Sequence, residues 1–134
     1  MEIKTLLEQR GLLIFDGAMG TQLQAKGLKT GEIPELLNLT AKDLLKEIHR
    51  SYIDAGADII SANTFGANSY KLSHSDKSVD EIITAGIINC KEAIKESGKD
   101  VFCALDIGPI GQLLEPTGSL KFEEAYDIFK EVDR

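Results

Sequence analysis

The sequence predicts an α/β fold with a mostly parallel sheet, on two observations. Short, largely apolar runs typical of buried strands recur at residues 12–15, 58–62 and 101–105. Segments with apolar residues at helical spacing alternate with these runs, in the order α-β-α-β-α-β-α. Because this alternation is typical of βαβ units, we expect the three strands to run parallel.

The first predicted helices have glycine ends. A helix over about residues 2–10 carries an apolar stripe and stops at Gly11, a residue that tolerates the left-handed cap conformation. After the first strand, residues 16–40 are rich in glycine and turn residues. A short helix over residues 21–26, ended by Gly27, is predicted within this loop.

Two later helices are predicted to begin at capping boxes. Thr40 and Asp43 have the spacing of such a box, and Ser78 and Glu81 form a better one. The helix after Ser78 is expected to end at Gly98. Its inward-facing residues are predicted to be Val79, Ile82, Ile83, Ile87, Cys90 and Ile94.

The spacing of the strands predicts a (β/α)8 TIM barrel. The strands start about 46 and about 43 residues apart, and eight such units need on the order of 350 residues, as in enlarged barrels. Residues 1–134 would form about three βα units of one domain.

Ser119 is predicted to cap a last helix that lacks a stop signal before Arg134, so we expect a truncated barrel. A Rossmann or flavodoxin-like sheet is the alternative, but no G-x-G-x-x-G follows the first strand.

Composition excludes several classes of protein. Fifteen Lys and Arg against twenty-two Asp and Glu give a net charge of −7, the wrong sign for binding nucleic acid or acidic membranes. No apolar run is long enough to span a membrane and no secretory signal is visible, so a cytoplasmic location is expected. Cys90 and Cys103 lack zinc-knuckle spacing and are interpreted as reduced, buried small side chains.

Polar residues follow each predicted strand, with glycine close behind. Asp16, Asn63 and Asp106 stand at these three places. Because the carboxyl ends of parallel strands form one face, we expect the three side chains to converge on a site. The alternative is that each caps a turn. His49 and His74 have no partner at ligand spacing and are interpreted as a solvated helix edge and a loop residue.

The chemistry of this predicted site suits a free amino acid. The backbone N–H groups of Gly17, Ala18 and Met19 can form a concave anion site for a carboxylate, and Asp16 and Asp106 can hold an ammonium group. Donors for an anion beside two carboxylates and an amide fit a zwitterion better than a phosphate ester. The alternative is a tight strand-to-helix turn with no ligand.

Four motifs in order resemble the homocysteine S-methyltransferase family, and within it the amino-terminal homocysteine-binding module of cobalamin-dependent methionine synthases. They cover essentially the whole chain. The motifs are Asp16-Gly17-Ala18-Met19-Gly20-Thr21, Pro34-Glu35-Leu36-Leu37-Asn38, Gly56-Ala57-Asp58-Ile59-Ile60 with Asn63-Thr64-Phe65, and Asp106-Ile107-Gly108-Pro109-Ile110-Gly111.

The resemblance implies a cytoplasmic methyltransferase of methionine biosynthesis. In that family a barrel binds homocysteine, zinc held by three cysteines stabilises the substrate thiolate, and the thiolate takes the methyl group of the donor, which is methylcobalamin in the cobalamin-dependent enzymes. The family's cysteine ligands lie in later strands, and Cys90 and Cys103 do not match them. The resemblance therefore implies an amino-acid-holding half of the site, without catalytic or metal residues, formed by Asp16, Gly17, Ala18, Met19, Asn63 and Asp106.

The segment alone is expected to be inactive and to hold neither zinc nor cobalamin, because the zinc-ligand cysteines are missing. Its expected partners are homocysteine and the remainder of the barrel. The alternative is a non-catalytic partial-barrel fragment or scaffold that self-associates through exposed strand edges.

Overall fold

A computed structural model describes residues 1–133 and has the predicted α/β organisation. A 3-10 turn over Pro34–Leu36 precedes the third helix. In chain order the helices and strands are α1 (Ile3–Arg10), α2 (Met19–Ala25), α3 (Leu37–Thr40), α4 (Lys42–Asp54), β1 (Ile59–Ser61), α5 (Val79–Ser97), β2 (Phe102–Ala104) and α6 (Phe122–Val132).

The three predicted strand segments lie side by side and run parallel. β1 pairs with β2, with Ile60 opposite Cys103. Residues 12–15 lie on the other side of β1, where Phe15 forms a single bridge to Ile59. The segment is held there by the N–H of Asp58, which donates to the Ile14 carbonyl at 2.8 Å. The strands are shorter than predicted, and their order follows the chain.

Helix ends predicted from local signals are confirmed for α1 and α5. Gly11 closes α1 at a φ of 76° and Gly98 closes α5 at a φ of 66°, both in the left-handed region. At the start of α5 the Ser78 hydroxyl accepts from the N–H of Glu81 at 3.1 Å. The Glu81 carboxylate in turn accepts from the N–H of Ser78 at 3.0 Å.

Two predicted caps are wrong. Thr40 is the last residue of α3, and its hydroxyl donates back to the Leu36 carbonyl at 3.4 Å instead of capping α4. Ser119 does not cap α6, whose cap residue is Lys121; the Lys121 N–H donates to the Glu124 carboxylate at 3.1 Å. The Thr40 hydroxyl is therefore bonded within the preceding helix, and the start of α6 is capped two residues later than predicted.

The core lies between the sheet and the helices α4 and α5. One cluster joins Ile53 of α4 and Cys90 of α5 to Ile60 of β1, and a second surrounds Ile82 of α5. The predicted inward face of α5 is confirmed, since Val79, Ile82, Ile83 and Cys90 are buried and Ile87 and Ile94 are packed against these clusters.

The interpretation of His49 as a solvated helix edge is wrong. Its side chain is 0% exposed, and neither ring nitrogen has a hydrogen-bond partner. His49 lies one turn from Leu45 and one turn from Ile53, so the helical spacing places it on the buried stripe of α4. Burial lowers the pKa of His49 from 6.5 to about 4. His74 is exposed in a loop, as predicted.

No helix within residues 1–133 combines the length and the apolar character needed to cross a membrane.

Candidate functional site

A cavity of about 310 Å³ opens at the carboxyl ends of the three strand segments. All six predicted site residues line it, so the structure brings them together. The lining residues are Phe15, Asp16, Gly17, Ala18, Met19, Gly20, Pro34, Glu35, Ser61, Ala62, Asn63, Thr64, Phe65 and Asp106. Their role in binding remains a prediction.

Asp16 is held in the cavity wall by β1. Its two carboxylate oxygens accept from the backbone N–H of Ser61 at 2.9 Å and from the Ser61 hydroxyl at 3.1 Å. Burial raises the pKa of Asp16 above its usual value, the two Ser61 hydrogen bonds oppose this shift, and the negative charge of Asp106 adds to it. Asp16 therefore has a fixed orientation before any ligand arrives.

Asp106 differs because its carboxylate accepts no hydrogen bond from residues 1–133. Its backbone is fixed by Thr64, whose hydroxyl donates to the Asp106 carbonyl at 2.8 Å and accepts from the Asp106 N–H at 3.1 Å. Burial raises the pKa of this carboxyl group. A rigid backbone with an uncommitted carboxylate is suited to binding a cationic group of a ligand.

Asn63 lines the cavity and also holds a neighbouring loop. Its amide NH2 group donates to the Pro34 carbonyl at 3.0 Å and to the Asn38 Oδ1 atom at 2.9 Å. Both amide hydrogens are therefore used within the protein. Asn63 fastens the segment that begins at Pro34 to the end of β1, and this segment forms one wall of the cavity.

The loop after residues 12–15 is held by Tyr52 of α4. The Tyr52 hydroxyl donates to the Ala18 carbonyl at 2.8 Å, and a Cβ atom at Gly17 would lie 3.0 Å from the Tyr52 ring. In a trans peptide the N–H points away from the C=O, so this bond also fixes the direction of the Met19 N–H. Within residues 1–133 the N–H groups of Gly17, Ala18 and Met19 have no acceptor.

Sequence reasoning missed Glu35 as a cavity residue. Its side chain is buried, and its carboxylate accepts from the Gly66 N–H at 2.7 Å. A Cβ atom at Gly66 would lie 2.8 Å from the Glu35 Oε1 atom, so glycine permits this close approach. The Pro34-to-Asn38 motif contained Glu35, but a charged residue in a loop gives no local sign of burial.

The electrostatics of the cavity favour a cation. Three carboxylates, those of Asp16, Glu35 and Asp106, line it, and no Lys or Arg is among its lining residues. A positively charged group would offset their mutual repulsion, and one with several N–H donors would also satisfy Asp106. The cavity is therefore suited to a small molecule with an ammonium group.

The described residues do not fit a zinc ion. Nowhere in residues 1–133 do three or more His, Cys, Asp or Glu side chains cluster as a metal site would require. Cys90 and Cys103 pack between α5 and the sheet and do not line the cavity. The described residues therefore supply no ligand set for zinc chemistry.

Comparison with known proteins gives one family. The family model for homocysteine S-methyltransferase matches residues 13–132. Methionine synthase from Mycobacterium tuberculosis is 45% identical over 73 residues, covering 50% of this chain and 6% of that protein. Methionine synthase from Mycobacterium leprae is 47% identical over 68 residues, covering 46% of this chain and 6% of that protein.

Solved structures give the same fold. The metallated form of the homocysteine methyltransferase MmuM from Escherichia coli superposes with a TM-score of 0.73 at 22% identity, covering 81% of this chain and 42% of that one. Its oxidized form gives 0.69 at 21% identity, covering 81% of this chain and 41% of that one. The chain thus spans less than half the length of the solved structures it matches.

Proposed function

Because the chain belongs to the homocysteine S-methyltransferase family, we propose that it is the amino-terminal part, about three βα units, of a (β/α)8 barrel that methylates the thiol of homocysteine to give methionine. Its own contribution is to hold the amino-acid end of the substrate. The observation that carries this proposal is the uncommitted Asp106 carboxylate facing a cavity lined by two further carboxylates.

In the proposed binding mode the substrate ammonium group lies against Asp106 and Asp16. The substrate carboxylate accepts from the N–H groups of Gly17, Ala18 and Met19, which the Tyr52 hydrogen bond to Ala18 supports. A zwitterion held at both ends has a fixed orientation. Its thiol-bearing side chain then points away from these residues, toward the part of the site that must supply the methyl donor.

The resemblance implies zinc and methylcobalamin, and we propose them for the whole enzyme but not for residues 1–134. Zinc would stabilise the substrate as a thiolate, but the two cysteines of this chain are placed in the packing layer. The chain is therefore assigned amino-acid binding and no step at the metal or the corrinoid.

Replacing Asp106 by Asn is expected to weaken homocysteine binding to the chain about tenfold to hundredfold, because a charge-assisted hydrogen bond to the ammonium group is lost. Isothermal titration calorimetry with homocysteine measures this directly. The matched control is Asp76→Asn, since Asp76 is 88% exposed in a loop outside the cavity. Binding to the unaltered chain is expected to weaken as the pH falls toward the raised pKa of Asp106.

A second ligand tests the binding mode. 4-Mercaptobutanoate lacks the amino group, so it is expected to bind the unaltered chain more weakly than homocysteine does. The Asp106→Asn variant is expected to bind 4-mercaptobutanoate about as weakly as the unaltered chain does. Absence of homocysteine binding to the unaltered chain would contradict the proposed function. An unchanged preference for homocysteine in the variant would instead contradict the role of Asp106 alone.

A scaffold that self-associates is the second candidate, and exposed apolar side chains favour it. Leu12, Ile14 and Phe15 are 61%, 54% and 58% exposed, and they lie in the segment that forms one edge of the sheet. Open strand edges with exposed apolar residues promote pairing between chains. Light scattering over a range of concentrations is expected to show dimers or larger species, and Ile14→Lys is expected to reduce them.

The control for this experiment is Leu7→Lys, which adds the same charge at a residue of α1 that is 45% exposed. It is expected to leave the association unchanged. A monomer at every concentration would exclude the scaffold.

A further inference from the structure

The two cysteines of the chain meet in the layer between α5 and the sheet. Cys90 of α5 is 0% exposed, and its Sγ atom lies 3.9 Å from the Ile60 carbonyl oxygen. Cys103 of β2 lies opposite Ile60 in the parallel pair. Because residues opposite each other in a sheet project to the same face, the Cys103 side chain lies in the same layer, where it packs against the cluster that contains Cys90.

The two thiols lie close enough to shift each other's pKa, which distinguishes them chemically. The Cys90 thiol lowers the pKa of Cys103, and the positive charge of Lys91 lowers it further, while burial and the Asp16 charge oppose the shift. The Cys103 thiol and burial raise the pKa of Cys90. Cys103 is also the more exposed of the two. Cys103 is therefore the thiol that can meet an external reagent as a thiolate.

We propose that Cys90 and Cys103 form a redox modification site, a dithiol that converts reversibly to an intrachain disulfide by exchange with a small disulfide such as oxidised glutathione. The site is separate from the candidate binding cavity, which neither cysteine lines.

The exchange balances in two steps. The Cys103 thiolate attacks one sulfur of glutathione disulfide, forms a mixed disulfide and expels one glutathione thiolate. Cys90 then attacks the Cys103 sulfur, which forms the intrachain bond and expels the second glutathione, and the proton of the buried Cys90 thiol passes to the departing glutathione thiolate. Two protein thiols are oxidised and one glutathione disulfide is reduced to two glutathione molecules.

The bond would link α5 covalently to β2. It would close a short loop of chain around the α5–β2 connection and reduce the freedom of the unfolded chain. The melting temperature of the oxidised chain is therefore expected to rise by roughly 5 °C or more.

Incubation of the folded chain with oxidised glutathione tests the proposal. The expected result is loss of both free thiols to Ellman's reagent, no retained glutathione, and a proteolytic peptide pair joined through Cys90 and Cys103 in mass spectrometry. Dithiothreitol is expected to restore both thiols and the original melting temperature. Retention of two free thiols, a disulfide between chains, or glutathione retained on Cys103 would each overturn the proposal.

Single variants separate the two roles. Cys90→Ala is expected to retain glutathione on Cys103, because the resolving thiol is missing, whereas Cys103→Ala is expected to react slowly or not at all. Equal reactivity of the two variants would contradict the assignment of Cys103 as the attacking thiol. If either variant fails to fold, peptide mapping of the unaltered chain after short exposure shows which cysteine acquires glutathione first.

Discussion

Lowering the pH from about 7 to about 4 is expected to cost the folded chain up to about 3 kcal/mol of stability through one side chain, His49. Its pKa is 6.5 in the unfolded reference and about 4 in the buried site, a difference of about 2.5 pH units at about 1.4 kcal/mol each. Between these values the unfolded chain binds more protons than the folded one, so stability is full above about pH 6.5 and falls as the pH approaches 4.

The cause is geometric as well as electrostatic. His49 is fully buried, and neither of its ring nitrogens has a partner, so the neutral ring already leaves a donor and an acceptor unsatisfied. Protonation would add an unpaired charge in the same place. The nearby cations Lys46 and Arg50 pair with Glu96 at the surface of α5, and no carboxylate hydrogen-bonds to the ring.

Urea unfolding followed by circular dichroism at several pH values measures this effect. His49→Leu is expected to be more stable than the unaltered chain at pH 7, and the difference between the two is expected to grow as the pH falls. The control His74→Leu alters the exposed histidine and is expected to leave the pH dependence unchanged. Parallel curves for the unaltered chain and His49→Leu would show that the ring is paired or solvated.

Local signals allowed the ends of α1 and α5 to be predicted because each is determined within a few residues. The Ser78 capping box and the glycines Gly11 and Gly98 need only their own turn of backbone. Thr40 failed as a cap because its hydroxyl already has a partner in the preceding helix. The spacing of His49 with Leu45 and Ile53 indicates burial, whereas the usual preference of a titratable side chain favours the surface, and in this chain the spacing determines the outcome.

The convergence of Asp16, Asn63 and Asp106 could be predicted because a parallel sheet brings strand ends to one face. The partners of these residues could not. The cavity residue Glu35 is held by a hydrogen bond to Gly66, 31 positions away, and Asn63 is held by one to Asn38, 25 positions away. Such pairings carry no periodic pattern. The sequence therefore predicts which strand-end residues share the cavity, but not that the Asn63 amide group holds a neighbouring loop.

Replacing Asn38 by Ala is expected to destabilise the chain by about 3 kcal/mol, a large effect for one side chain. Asn38 is 3% exposed, and its amide NH2 group donates to the carbonyls of Asn63 at 2.7 Å and Ile82 at 3.0 Å. Its Oδ1 atom accepts from Asn63 at 2.9 Å. Alanine removes these bonds and leaves buried polar groups without partners, at about 1–3 kcal/mol each.

The enclosed position of Asn38 explains why water cannot easily replace the hydrogen bonds that the Asn38→Ala variant loses. Gly86 of α5 approaches so closely that a Cβ atom there would lie 2.8 Å from the Asn38 Nδ2 atom, so the amide is enclosed between α5 and the end of β1. Asn89 adds a hydrogen bond to the Asn38 carbonyl at 3.0 Å. A site enclosed in this way has little room for water to replace the lost donors and acceptor.

Urea unfolding at pH 7 compares Asn38→Ala with two other variants. Asn89→Ala removes a single donated bond and is expected to cost less, while Gln22→Ala on the exposed face of α2 is expected to stay within about 0.5 kcal/mol of the unaltered chain. Asn38→Ala is also expected to weaken homocysteine binding, because Asn63 would no longer hold the wall that begins at Pro34. Equal stability of Asn38→Ala and Gln22→Ala would show that this hydrogen-bond network does not hold α3, β1 and α5 together.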